Sequence, residues 1–309
     1  MENFTEKKPR IWLNIAHFIN DIYTGMLNPI MPFIAAKLAI SMALATIILS
    51  ISHICSSLLQ PIFGFFADNI LKRVFIFWGL LMTSVFISFA PSANHIFPLL
   101  VCVILGSVGS SLFHPQALGF SVRFAGKDVT RNMGIFIGLG TLGYSFGPII
   151  SAYVTQYLGL DSVRYLSVIG VCWVLLMFNF VPKIYSDKTA KSNSHFIKTF
   201  KDILTNRKLN ILNIIAMLKT LVTTSTSILL PFLWKSIGYK PFHIGAALFA
   251  FSFAAGIGSF ISRSVENKVG AQKVFYFSST NTYFFSRLKA SCTLLSGSAR
   301  VTRVPYGGK

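Results

Sequence analysis

Five polar residues share one face of the first long apolar segment: Asn14, His17, Asp21, Thr24 and Asn28. Their spacing, alternately three and four residues, draws a single stripe down a helix. Asp21 lies deep in an apolar run, where a carboxylate is expensive unless it faces a cavity or a partner. An imidazole one turn away can share a proton with it, so Asp21 and His17 are the expected proton-coupling pair. The competing reading is that the two only bond helices together.

Other segments carry polar groups at similar depth. The second holds Ser52, His53, Ser56, Ser57, Gln60 and Pro61, and the fourth holds Gly106, Gly109, Ser110, Phe113, His114 and Pro115. A histidine just before a proline sits where the helix ladder is loosened. His114 is therefore the stronger pathway candidate, His53 the weaker, and simple packing is the alternative for both. The seventh segment contains Lys219 among Thr220, Thr223, Thr224 and Ser227. A cation there needs a counter-charge, from Asp21 or an anionic ligand, unless it snorkels to the interface.

These residues need helices to position them. More than half the chain is apolar, only 12% is charged, and the mean hydropathy is +0.63. A soluble domain has about 25% charge. The apolar residues fall in runs of roughly bilayer length. Spans are expected at Ile11–Ala36, Met42–Ala67, Val74–Ala90, Ile96–Val122, Asn132–Tyr157, Ser162–Val181, Leu209–Trp234 and Phe242–Ser262. They are read as α-helices, because an open strand cannot satisfy its backbone in lipid. The fold class is thus an all-α membrane protein. The first run follows Lys7-Lys8-Pro9-Arg10 and is too long for a cleavable signal peptide, so it is read as an uncleaved span.

The net charge of +19 does not mark a nucleic-acid protein, because it forms no stripe or face. It sits between spans. The N-terminus, the loops near 68–73, 123–131 and 183–208, and the loop near 263–273 hold 18 of the 28 Lys and Arg residues, against 4 on the opposite side. That asymmetry predicts a cytoplasmic N-terminus. Cys55, Cys102 and Cys172 lie inside apolar runs, so a disulfide framework is not expected.

An internal repeat divides the chain. Ile30-Met31-Pro32-Phe33 returns as Leu229-Leu230-Pro231-Phe232, and the same offset sets Asp68 on Asn267. The pattern suggests paired six-helix units. The expected organisation is a six-helix half over 1–182, a basic cytoplasmic linker over 183–208, an incomplete second half over 209–285 and a basic tail over 286–309. The Ser- and Thr-rich stretch after Val274 is too short to cross a membrane, so the chain reads as C-terminally truncated, by the hypothesis of a frame change near 275–286.

Two motifs carry a resemblance. Gly64-Phe65-Phe66-Ala67-Asp68-Asn69-Ile70-Leu71-Lys72-Arg73 resembles the signature loop of the major facilitator superfamily, matching at Gly64, Asp68, Lys72 and Arg73 and departing at Asn69 and Leu71. Gly64 would let two helices approach, and Asp68 at a helix end can meet a helix N-terminus or a cation. A positive-inside turn with a stray acid is the plainer reading. Gly143-x-x-x-Gly147-Pro148 resembles the antiporter signature of proton-coupled exporters, with a tightly packed helix pair as the alternative. Together with His17-x-x-x-Asp21-x-x-x-Gly25, Ser56-Ser57-x-x-Gln60-Pro61 and Phe113-His114-Pro115, they resemble the fosmidomycin-resistance branch of that superfamily, from about Trp12 to Ser278.

The resemblance implies a major facilitator fold in a bacterial inner membrane, exporting a small drug-like molecule, anionic for some members of that branch, in exchange for protons. His114 and Lys219 would pair with such an anion. Its partners would be the substrate, protons and the lipid bilayer. Alternative expectations are an importer of a small polar solute with the same fold, and an inactive fragment. The chain shows no Gly-rich phosphate loop, no Gly-x-Ser-x-Gly elbow and no Cys or His cluster at metal-ligand spacing, so neither an enzyme nor a metal or cofactor site is expected.

Overall fold

The computed structural model describes residues 7–70, 73–126, 129–181, 205–270 and 273. Among these every regular element is helical. The order is α1 (Lys7–Gly25), α2 (Leu27–Lys37), α3 (Met42–Leu58), α4 (Gln60–Ile70), α5 (Val74–Phe89), α6 (Ile96–Arg123), α7 (Val129–Tyr157), α8 (Ser167–Met177), α9 (Arg207–Ser236) and α10 (Pro241–Val269). Short 3₁₀ turns occupy Ala90–Ser92 and Leu160–Leu166. The linker and tail expected from the sequence fall mostly outside the described residues.

Six helical stretches among the described residues are long and apolar enough to cross a bilayer: Met42–Phe66, Val74–Ser92, Ile96–Arg123, Arg131–Tyr157, Leu160–Met177 and Leu209–Ser236. Large apolar side chains such as Ile47, Leu58, Trp78 and Phe97 point outward. In water that surface would be a liability; in lipid it is the solvated face.

The first expected span is two helices rather than one. Pro29 has no N–H to offer the carbonyl of Gly25, and the chain breaks at Met26. Ser151 on α7 donates to Met26 O at 2.8 Å, tying α7 to the break. The second span divides in the same way at Leu59, just before Gln60-Pro61. The sixth begins as a 3₁₀ turn, where Ser162 and Ser167 donate to the carbonyls of Leu158 and Arg164.

α1 lies in the middle of the bundle, packed against α5, α6 and α7. The α1–α7 contact is made by glycines. A Cβ on Gly143 would overlap the backbone of Phe18, and one on Gly147 would overlap Ile22 and Gly25. Gly25 in turn has no room for a side chain beside the Tyr144 carbonyl. This is small-residue packing of the kind that holds helices together in lipid, where no hydrophobic force does so. The same logic joins α5 to α6, where Gly79 meets Gly109.

The repeated segments meet in space. α9 packs on α2, and Lys235 donates to Pro32 O at 2.6 Å while its ammonium sits 5.1 Å from the Phe33 ring centroid. At the other end, Arg73 donates to Phe178 O at 2.9 Å and to Val181 O, and it lies over the rings of Phe77 and Phe178. Arg73 thereby meets carbonyls just past the C-terminal end of α8, the end of a helix that favours a cation. Gly64 does not match its expected role here: a Cβ there would make only an ordinary 3.5 Å contact with Pro115. Lys72 and the side chain of Asp68 fall outside the described residues.

Candidate functional site

The polar stripe of α1 is buried. Asn14, His17, Asp21 and Asn28 are each less than one-tenth exposed, and Thr24 is partly covered. His17 Nε2 lies 3.3 Å from Asp21 Oδ2 across one helical turn. From α6, His114 Nε2 approaches the other oxygen, Oδ1, at 3.1 Å. One carboxylate therefore bridges two imidazoles, and the fold adds His114 to the pair expected from the sequence.

The far side of each ring is fixed. His17 Nδ1 is 2.9 Å from Phe136 O, and His114 Nδ1 is 2.8 Å from Ser110 O. A carbonyl only accepts, so each Nδ1 carries the hydrogen and each Nε2 is left to face Asp21. Every Nε2–carboxylate contact then needs a proton of its own to be a hydrogen bond. Two such protons added to two neutral imidazoles and one carboxylate give a cluster with a single net positive charge. Removing one leaves a nitrogen lone pair facing an oxygen lone pair, and that contact must open.

Several neighbours shape the cluster. The Phe136 ring stacks on His17 with centroids 4.1 Å apart. Asn20, fully buried, donates to Asp21 Oδ1 at 3.0 Å. Thr24 donates to the Asp21 carbonyl at 2.9 Å. Gly140 faces the cluster from α7, and a Cβ there would overlap both the His17 ring and Asp21. Gly140, Asn20 and Phe136 escaped the sequence reading. Asn20 lies off the stripe, and nothing in a one-dimensional pattern says which glycine of α7 meets an imidazole.

Beside the cluster lies a cavity of about 200 Å³. Asp21, Thr24 and Asn28 from α1 and α2, His53 and Ser56 from α3, Gln60 from α4, and Ser107, Ser110 and His114 from α6 line it, with Tyr144 from α7. Most of the expected pathway residues thus converge. Asn28 donates to the Tyr144 hydroxyl at 3.3 Å, Ser52 and Ser107 hydroxyls meet at 2.7 Å, and Gln60 donates to Ser56 O at 2.8 Å. No lysine or arginine is among the described lining residues. Asn14 is buried on the stripe but not on this wall. Lys219 sits on α9, partly covered, and is not among the lining residues either. Asp21 is paired with the two histidines.

Comparison with known proteins adds a context to this geometry. The family model for the Major Facilitator Superfamily matches residues 13–286. The fosmidomycin resistance protein of Escherichia coli is 24% identical over 269 residues, which is 85% of this chain and 66% of that protein. An uncharacterized MFS-type transporter of Bacillus subtilis, YfnC, is 24% identical over 181 residues, 58% of this chain and 43% of that protein. The chain thus spans just under two thirds of the first relative's length and less than half of the second's.

Proposed function

The chain belongs to the Major Facilitator Superfamily, and from that membership we propose a proton-coupled exporter that moves a small anionic molecule such as fosmidomycin. It is an integral membrane protein; its place in a bacterial inner membrane with the N-terminus in the cytoplasm is part of the proposal. The carrying observation is Asp21 held between His17 and His114 on the wall of a polar cavity.

The mechanism follows from the hydrogen-bond count. With both shared protons in place, α1 and α6 are tied at Asp21 and the cavity is closed to a phosphonate. The Tyr144 hydroxyl, which accepts from Asn28 and keeps its own hydrogen, supplies a donor for its oxygens. Loss of a proton opens one contact and admits the anion, and regaining a proton on the far side restores the tie and expels it, so drug and proton occupy the site in turn. The two halves of such a carrier would rock about this central site, each proton state favouring one facing. Asp68 and Arg73 of the signature loop would bias that rocking, and the Gly143–Pro148 stretch of α7 marks the exporter direction by its resemblance to antiporters.

Import of a polar solute is the reading this proposal must beat. Everted membrane vesicles separate the two. Addition of fosmidomycin should dissipate an acid-inside pH gradient if the chain exchanges it for protons. No change in the gradient, with substrate moving in the opposite sense, would favour import.

A further inference from the structure

We propose that His17, Asp21 and His114 form a binding site for a divalent transition-metal ion of the zinc, cobalt, nickel or copper class. This goes beyond the transport reading and does not depend on it. Nothing in the sequence marks such a site, because the third ligand comes from a helix distant in the chain.

Four observations carry the inference. First, the ligand atoms converge: one from each of the three residues lies within 4.8 Å of the others. The spacing suits a metal. Zinc holds imidazole nitrogen and carboxylate oxygen at about 2.0–2.2 Å, so neighbouring corners of its tetrahedron sit roughly 3.4 Å apart. The His17–Asp21 and His114–Asp21 contacts are 3.3 and 3.1 Å.

Second, the tautomers are already set for coordination. Both Nδ1 atoms meet backbone carbonyls, at Phe136 and Ser110, which leaves both Nε2 lone pairs aimed inward. Metal-bound histidines are oriented in this way, by a hydrogen bond from the other ring nitrogen. The Asn20 amide plays the matching part for the carboxylate, at 3.0 Å. Third, Gly140 leaves the space a side chain would take from the cluster. Fourth, the adjoining cavity has no lysine or arginine among its described lining residues and offers room for water on the ion's open side.

The ligand set decides the class. Two imidazoles and one carboxylate suit zinc and its neighbours, whereas calcium and magnesium take oxygen ligands. The ion uses the same Nε2 lone pairs that hold the shared protons, so the metal-bound and doubly protonated forms exclude each other.

The test is binding to the purified full chain, with zinc measured by calorimetry and cobalt by its visible absorption. One saturable ion per chain is expected, with tetrahedral cobalt bands and no competition from a hundredfold excess of magnesium. Affinity should fall at least about tenfold in His114→Gln and in Asp21→Asn. It should hold in His95→Gln, which removes an exposed histidine elsewhere. X-ray absorption at the zinc edge of the parent should show imidazole scattering, a readout that needs no variant to fold. An all-oxygen shell, no saturable binding, or unchanged affinity in a folded His114→Gln would overturn the proposal. Transport plays no part in these readouts. Failed binding in a chain whose proton-coupled export depends on Asp21 would remove the metal site and leave the transport reading standing.

Discussion

At the scale of residues, one carboxylate sets the terms. Asp21 is shared by two imidazoles whose outer nitrogens are pinned to backbone carbonyls. His114→Gln keeps the bulk but cannot share a proton with Asp21 in the same way. Drug-driven proton movement should fall by at least tenfold in that variant while it still reaches the membrane, as fluorimetry with a pH-sensitive dye would show. Gly140→Ala should act through the same cluster by forcing a methyl onto His17 and Asp21. Overpacking of this kind costs about 1–3 kcal/mol, measurable as a lowered unfolding temperature in detergent. The sequence displayed half of this site: the 3-4 spacing exposes His17 and Asp21, and the proline after His114 singles that residue out. It did not display their meeting, because no local pattern encodes which turn of α6 faces which turn of α1. Lys219 marks a related limit. Depth in a span is visible in a sequence, but whether a residue reaches a given cavity is not.

At the scale of elements, glycines and prolines decide the architecture. Gly143 and Gly147 let α7 lie against the backbone of α1 at Phe18 and Ile22. Replacing Gly147 with Ala should therefore destabilise the protein by about 1–3 kcal/mol, more than the same change at Gly134, which has open space around it. Thermal unfolding of the two variants side by side checks the contrast. Ser151→Ala should cost roughly 1 kcal/mol by stripping the donor from Met26 O. The helices themselves were legible from apolar runs of bilayer length. The break at Met26 was latent in Pro29, but a hydropathy pattern averages over it. The 3₁₀ entry at Leu160–Leu166 was not legible, since it depends on serine hydroxyls returning to nearby carbonyls.

At the scale of the whole molecule, the repeat has a physical meaning. The copies around Pro32 and Pro231 lie on helices that touch, and Lys235 reaches across to Pro32 O. This contact ties α2 to α9 at the end of the bundle away from Arg73 and Arg123. Single cysteines placed at Lys37 and at Arg123 should therefore label from opposite faces of the membrane with an impermeant reagent. In the proposed mechanism Asp21 couples protons to export. That coupling is tested most directly by fosmidomycin-induced loss of a pH gradient in everted vesicles, comparing the parent with Asp21→Asn. The drug should collapse the gradient with the parent and leave it intact with the variant at equal protein level. An Asp21→Asn chain that exchanges fosmidomycin for protons as fast as the parent would contradict it.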